Sequence, residues 1–243
     1  SCNPAFINIG LRIGNDKFYQ YMLDFGLTEK TGVDTTGEAS GFVNSEIKYS
    51  TLALACYAFG QNFNVTPMAL IAAQAACVNG GYLMKPYVVK SIVNSDGEAV
   101  VSNSPTVVRQ VVSEQTSATV RQILEQVVGD PVDGTGKNAY VAGYRIGGKS
   151  GTSEQLNMHR RADGDYKKVA SFVAVLPAND PEILVYVMLD DPNNAQTDYS
   201  SILAAPVAGN IISEVAPYLG IATDGEDRSG TIVTVPNLVG TEW

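Results

Sequence analysis

The chain has 243 residues, 45% of them hydrophobic and 17% charged, which is typical of a globular protein with a sizeable core. Its formal net charge of −9 argues against a nucleic-acid partner, because phosphate backbones are bound by basic surfaces. The single histidine, His159, lies in a polar loop, which argues against a Ser-His-Asp triad and a His-rich zinc site. The three cysteines are odd in number and irregularly spaced, which argues against a metal motif and a disulfide framework.

The first half of the chain is predicted to be mainly helical. Ser1 and Asn3 are both residues that cap helices, and Pro4 is favoured in a first helical turn, so a helix is predicted to begin here. The apolar residues that follow indicate two short helices, which are separated near Gly14 and closed by Gly26. Three more helices are predicted at residues 51–59, 67–78 and 113–129, and a polar loop is predicted at residues 30–50.

The second half is predicted to contain an antiparallel sheet. Strand-like stretches occur at 140–152, 169–176 and 183–189, and the short connection between the last two favours antiparallel pairing. A separate hairpin is indicated at residues 87–101 by its central turn signal. Residues 202–219 are predicted to form a helix across the sheet. A helix needs about 20 apolar residues to cross a bilayer, and the sequence suggests no apolar run of that length, so we expect no membrane span. The expected fold class is therefore α+β, with helices on both faces of the sheet.

The most informative stretch is Gly147-Gly148-Lys149-Ser150-Gly151-Thr152. Its glycines are expected to let a ligand approach the backbone closely. Lys149 supplies a fixed positive charge, and the hydroxyls of Ser150 and Thr152 can hydrogen-bond to an anionic end group. The stretch therefore predicts a binding site for a small molecule that carries a negative charge.

Residues 143–150 also match the pattern G-x-x-x-x-G-K-[ST] of P-loop nucleotide hydrolases. A loop of this kind must open a helix, so that backbone N–H groups and the helix dipole face the phosphates. Here Gly151 follows directly, and residues 153–160 have no apolar face at helical spacing. A P-loop hydrolase stays open as an alternative, which a helix beginning at Lys149 would support.

The pattern Ser1-x-Asn3, followed much later by Lys149-Ser150-Gly151-Thr152, resembles the S-x-N and K-[TS]-G motifs of penicillin-binding transpeptidases. The resemblance extends in order over roughly 210 residues, which chance motif matches do not explain. Further similar stretches lie at 31–38, 59–61, 65–67, 79–81, 134–137 and 204–207. The chain resembles in particular the class B enzymes of Gram-positive division or spore-cortex synthesis. This implies a fold like that of serine β-lactamases and penicillin-binding proteins, present as a partial domain.

The resemblance implies a D,D-transpeptidase, whose serine attacks a D-alanyl-D-alanine stem peptide and is also acylated by β-lactams. Ser1 would relay protons, and Asn3 would hold the substrate amide and help to orient the base lysine. Lys149 would favour carboxylate binding and keep that second lysine neutral by like-charge repulsion. Ser150, Gly151 and Thr152 would bind substrate, the two hydroxyls through its carboxylate and the Thr152 N–H as half of the oxyanion hole. The resemblance implies no metal and no cofactor.

The nucleophile motif S-x-x-K should precede S-x-N, but the S-x-x-K that begins at Ser45 follows it. It lies in a polar loop rather than at the start of an apolar helix, so we interpret it as a coincidence. The serine, its lysine, a membrane anchor and two sheet strands are expected upstream of Ser1. Residues 1–220 would then be the C-terminal part of a transpeptidase domain that is not acylated alone and self-associates. The parent protein would act in cell-wall synthesis complexes on the outer face of a bacterial membrane.

Two further features of the sequence are its C-terminal segment and Glu154. Residues 221–232 are predicted to be a linker, and residues 233–243 resemble the start of a PASTA repeat, although a disordered tail is an equally good interpretation. This segment is the independent support for a third alternative, a non-catalytic cell-wall binding module. Glu154 departs from relatives that often carry Gln there, and it adds negative charge beside the expected anion site.

Overall fold

The computed structural model describes residues 1–155, 161, 164, 166–192 and 197–224. They fall into two compact units, one of residues 2–120 and the other of Ser1 together with the residues from 121 onward. The boundary lies within a single helix, α5 (Glu114–Gly129). His159, the predicted PASTA-like segment 233–243, and the predicted linker beyond residue 224 lie outside the described residues.

The unit of residues 2–120 contains four helices near its start, as the apolar pattern predicted. They are α1 (Asn3–Ile13), α2 (Asn15–Asp24), α3 (Thr51–Ala58) and α4 (Pro67–Val78). Gly14 separates the first two with a φ of 83°, a conformation that favours glycine. The Thr66 hydroxyl accepts the N–H of Ala69 at 3.2 Å and so caps α4. One buried cluster of this unit is formed by α2, α3 and the short 3₁₀-helix Ser45–Lys48, and contains Met22, Ile47, Ala53, Leu54 and Tyr57.

Three small antiparallel pairs complete this unit. They are β1 (Phe42–Val43) with β2 (Phe63–Asn64), β3 (Tyr82–Lys85) with β6 (Thr106–Gln110), and β4 (Ser91–Val93) with β5 (Ala99–Ser102). The last pair confirms the predicted hairpin. The carboxylate of Asp34 accepts the N–H groups of Val88 and Val89 at 2.8 and 3.0 Å, which fixes the polar loop to the approach of β4.

The second unit is built on a three-stranded antiparallel sheet in the order β7-β8-β9, as predicted. Its strands are β7 (Gly147–Glu154), β8 (Lys168–Leu176) and β9 (Ile183–Asp190). The prediction that β7 begins at residue 140 was wrong. A 3₁₀-helix (Lys137–Ala139) and a turn closed by the Tyr144 N–H and the Val141 carbonyl precede the strand, and Gly143 has a φ of 81°. This turn redirects the chain, so that pairing with β8 starts only at Gly147.

Helices cover both faces of this sheet. Phe172, Ala174 and Leu176 of β8 pack in one buried cluster with residues of α7 (Ala205–Leu219). The opposite face meets α5, because a Cβ placed on Gly147 would lie 3.2 Å from the Leu124 Cβ and 2.9 Å from Val175. Consecutive strand residues point to opposite faces, so residues 172 and 175 mark the two sides.

The premise that no stretch is long and apolar enough to cross a membrane was wrong. The stretch Ser200–Leu219 has 20 residues and a mean hydropathy of 1.3, which is long and apolar enough for a membrane span. It forms α6 (Ser200–Leu203) and α7, and its residues Ala208, Ile212 and Ala216 are fully buried in the core beside the sheet. In this fold it is therefore a core helix, which passes the same test because cores and membranes select the same side chains.

Candidate active site

Two of the glycines before Lys149 serve packing rather than ligand approach. A Cβ on Gly148 would lie 2.6 Å from the Phe172 ring, and one on Gly147 would approach Val175 and Leu124. Both glycines are buried, whereas Gly151, further along the strand, is exposed. The expectation of close ligand approach was thus wrong for the first two positions. They are glycines because side chains from both faces of the sheet occupy the space that a Cβ would need.

Lys149 reaches the first residue of the chain. Its Nζ donates to the Ser1 Oγ at 2.8 Å, although the two residues are 148 positions apart, and it also donates to the Ser150 carbonyl. The structure thus brings these two motif residues together. Asn3 belongs to the other unit, so its role at the site stays a prediction.

Burial lowers the pKa of the Lys149 amine. The cause is desolvation, which disfavours the charged form, and a nearby anion would act in the opposite direction. A carboxylate bound beside Lys149 would therefore be held by an ion pair that water screens only weakly. The position of this amine therefore agrees with the predicted binding of a negatively charged group.

The P-loop alternative is wrong. Lys149 and Ser150 lie inside β7 and pair in register with Val173 and Phe172 of β8. A phosphate-binding loop needs its N–H groups free at the start of a helix. No helix begins at Lys149.

The structure adds Ser200, which sequence reasoning missed. The Thr152 hydroxyl donates to the Ser200 Oγ at 3.1 Å, and the Ser200 N–H lies 3.4 Å from the Thr152 Oγ1. Ser200 is 3% exposed and is the first residue of α6. A serine before an apolar helix normally indicates a helix cap, so the sequence carried no signal of its pairing with a residue 48 positions away.

A cluster of ion pairs lies at the start of β8, just after the end of β9 and just before Ser200. Arg161 binds Asp191 at 3.0 Å and Asp198 at 2.9 Å. Lys167 binds Asp191 at 2.9 Å, and Lys168 binds Asp198 at 3.2 Å. The cluster joins the start of β8, the residue after β9 and the approach to α6.

This cluster predicts that stability depends on pH. Hydrogen bonds from Lys167 and Arg161 lower the pKa of Asp191 from its ordinary value of 3.8. Burial raises the pKa of Asp198, but hydrogen bonds from Arg161 and Lys168 outweigh it and leave this pKa lowered as well. Carboxyl groups of this kind stabilise the fold above their unfolded pKa, and the contribution is lost as the pH falls through the folded value.

We therefore expect the double variant Asp191→Asn/Asp198→Asn to melt below the wild type at pH 7, and the gap to close below about pH 4. Thermal unfolding followed by circular dichroism at several pH values measures this. Asp180→Asn, at an exposed loop position, is the matched control and should show no gap. A gap that persisted unchanged at pH 3 would contradict the argument.

The structure also bears on the isolated S-x-x-K motif. Ser45 and Lys48 are exposed on a short 3₁₀-helix, and the Lys48 amine lies 4.5 Å from the centre of the Tyr19 ring. Among the described contacts, no hydrogen bond joins Ser45 to Lys48. An exposed serine without a bonded base lacks the arrangement that activates a nucleophile.

Glu154 ends β7 directly opposite Lys168 of β8. Cross-strand pairs of opposite charge are favourable, so Lys168 offsets part of the negative charge that Glu154 adds near the site. Within the described part of the chain, no group of three or more His, Cys, Asp or Glu residues could hold a metal ion.

Comparison with known proteins agrees with this geometry. The family model described as "Penicillin binding protein transpeptidase domain" matches residues 1–213, and the chain belongs to this family. Stage V sporulation protein D of Bacillus subtilis is 38% identical over 251 residues, which cover 99% of this chain and 38% of that protein. The probable peptidoglycan D,D-transpeptidase FtsI of Caulobacter vibrioides is 30% identical over 248 residues, covering 98% of this chain and 39% of that protein. The chain is thus a class B, FtsI-like member that spans well under half the length of these relatives.

Solved structures agree on the fold. Penicillin-binding protein 3 from Mycobacterium tuberculosis, complexed with aztreonam, has a TM-score of 0.79 and 29% identity, covering 91% of this chain and 50% of that chain. The apo transpeptidase domain of penicillin-binding protein 3 from Burkholderia pseudomallei has a TM-score of 0.77 and 27% identity, covering 92% of this chain and 63% of that one. The predicted α+β transpeptidase fold is confirmed.

Proposed function

We propose that this chain forms the carboxylate-binding side of a peptidoglycan D,D-transpeptidase site. The observation that carries the proposal is the 2.8 Å hydrogen bond from Lys149 to Ser1, which joins the two motif residues across 148 positions of chain. Lys149 supplies the positive charge, and the hydroxyls of Ser150 and Thr152 bind the terminal carboxylate of the stem peptide or of a β-lactam. Asn3 holds the substrate amide, and the exposed Gly151 leaves room along the strand.

The hydrogen bond also supports a proton-relay role for Ser1. Because Lys149 donates to the Ser1 oxygen, the Ser1 hydroxyl hydrogen is left to donate elsewhere. When the nucleophilic serine attacks the carbonyl between the two D-alanines, the C–N bond breaks and the leaving amine needs one proton. The nucleophile's own proton passes to its neighbouring lysine, which protonates Ser1 as the Ser1 hydroxyl gives its proton to the leaving amine. The Thr152 N–H stabilises the oxyanion that forms between these steps.

The nucleophile is proposed to lie in a part of the protein other than this chain. Two observations support this: Ser45 and Lys48 are exposed and not hydrogen-bonded to each other in the described structure, and the chain spans only 38% of its sporulation relative. On this proposal the 243-residue chain alone is not acylated, and it exposes surface through which it self-associates.

We further propose the kind of transpeptidase, its location and the bounds of its domains. We place the parent protein among the Gram-positive division or spore-cortex enzymes, since a relative named for sporulation is 38% identical. It would act within cell-wall synthesis complexes on the outer face of the membrane. Residues 1–220 would belong to the transpeptidase domain, residues 221–232 to a linker and residues 233–243 to the start of a PASTA repeat.

Release of D-alanine from a synthetic stem pentapeptide by the full-length protein tests the proposed function. We expect D-alanine release that penicillin blocks, and at least tenfold slower release of D-alaninamide from the same peptide with an amidated C-terminus, because the amide cannot form an ion pair with Lys149. A pentapeptide ending in L-alanine is the specificity control. Equal turnover of the acid and the amide would contradict the carboxylate-binding role of this strand.

A further inference from the structure

We propose that Ser200 is a positioning residue, which sets the Thr152 hydroxyl for binding of the substrate carboxylate. The inference rests on the proposed function and concerns the same site. Ser200 is 3% exposed, its Oγ lies 3.1 Å from the Thr152 Oγ1, and its N–H points to the same oxygen at 3.4 Å. Thr152 is exposed, so its hydroxyl has one buried partner and one side open to a ligand.

Ser200 is itself held in place from two directions. The Asn138 side chain donates to the Ser201 carbonyl at 2.8 Å, and the Ala204 N–H donates to the Ser200 carbonyl at 2.8 Å. On the other side, Asp198 is bound by Arg161 and Lys168. These contacts hold the backbone of α6 and of the segment before it, which keeps the Ser200 hydroxyl within hydrogen-bonding distance of Thr152.

The hydrogen-bonding capacity of the two hydroxyls gives Ser200 a definite role. In the structure the Thr152 hydroxyl donates to the Ser200 oxygen. A carboxylate only accepts hydrogen bonds, so Thr152 must turn its hydrogen toward the ligand. The Ser200 hydroxyl then rotates and donates to the Thr152 oxygen, which forms a chain Ser200–Thr152–carboxylate. Hydrogen bonds in such a chain strengthen one another, and the Thr152 oxygen is not left without a donor.

The test compares penicillin with its methyl ester as acylating agents of the full-length protein, for wild type and Ser200→Ala. We expect the second-order acylation rate with penicillin to fall about five- to tenfold, and the rate with the ester to change less than about twofold. Only penicillin has the free carboxylate that the hydrogen-bonded hydroxyls of Ser200 and Thr152 would bind, because the ester lacks this charge. Ser201→Ala is the matched control, because Ser201 contributes its carbonyl rather than its hydroxyl to these contacts.

The outcomes separate this inference from the proposed function. An equal loss with both ligands would reduce Ser200 to a structural role and overturn the inference, and so would no loss with either. A wild-type protein that penicillin does not acylate would refute the proposed function, and the inference with it. If Ser200→Ala does not fold, Ser200→Cys preserves the volume with a weaker donor, and a loss confined to penicillin is expected there too.

Discussion

Replacing Lys149 with alanine is expected to lower the acylation rate of the full-length protein by penicillin about 100- to 1,000-fold. The amine is partly buried, donates to Ser1 at 2.8 Å and lies on the strand whose hydroxyls are proposed to bind the carboxylate. On that proposal, its loss removes both a weakly screened charge from the carboxylate and a hydrogen-bond donor from Ser1. Effects of groups that act together in this way exceed those of a single neutral hydrogen bond.

Stopped-flow or gel-based labelling with a fluorescent penicillin measures this rate. Lys90→Ala, which removes an exposed lysine from the other unit, controls for the general effect of charge and should label like the wild type. Lys149→Arg is informative as well, because it preserves the charge in a different shape, and a loss there indicates that geometry matters. A Lys149→Ala protein that labels at the wild-type rate would remove Lys149 from the mechanism.

The largest expected effect on stability is that of Phe172→Ala, about 3–5 kcal/mol in the free energy of unfolding. Phe172 has no exposed surface, and its ring fills the space beneath Gly148 and Gly136. The cavity left by alanine would be bordered by backbone that a sheet holds in register, so it could collapse only in part. The same substitution would loosen β7 beside Lys149.

Urea denaturation of the full-length protein, followed by fluorescence, measures the change. Tyr218→Ala removes an aromatic ring of similar size that is 88% exposed, and should alter the free energy of unfolding by less than about 0.5 kcal/mol. A Phe172→Ala variant that lost less than about 1 kcal/mol would contradict the packing argument. It would mean that the strand bearing the motif does not depend on this ring.

The elements that sequence predicted best are those with local signals. Thr66 before Pro67 gives the start of α4, and the turn between β4 and β5 gives a hairpin, because caps and turns depend on residues next to each other. The start of β7 was misplaced, since the turn around Gly143 interrupts a stretch whose apolar content looks like strand. The periodicity of apolar residues does not by itself indicate where pairing with a neighbouring strand begins.

The residues of the candidate site also fall into those that the sequence identified and those that it did not. Ser1 and Lys149 were identified because the order of two family motifs links them, although no local pattern connects them. Ser200 and the ion pairs of Arg161 were not found, because contacts across 48 and 37 positions leave no pattern in a single sequence. The role of Gly148 was misjudged for a related reason, since the Phe172 ring that excludes a side chain there belongs to another strand.

The most direct test of the central claim is to identify the serine that penicillin acylates. The full-length protein and the 243-residue chain are each incubated with penicillin, and adducts are located by intact-mass spectrometry and peptide mapping. We predict an adduct on the full-length protein, at a serine outside residues 1–243, and none on the chain alone. An adduct on Ser45 that Ser45→Ala abolishes, or a full-length protein that takes up no penicillin, would contradict the account.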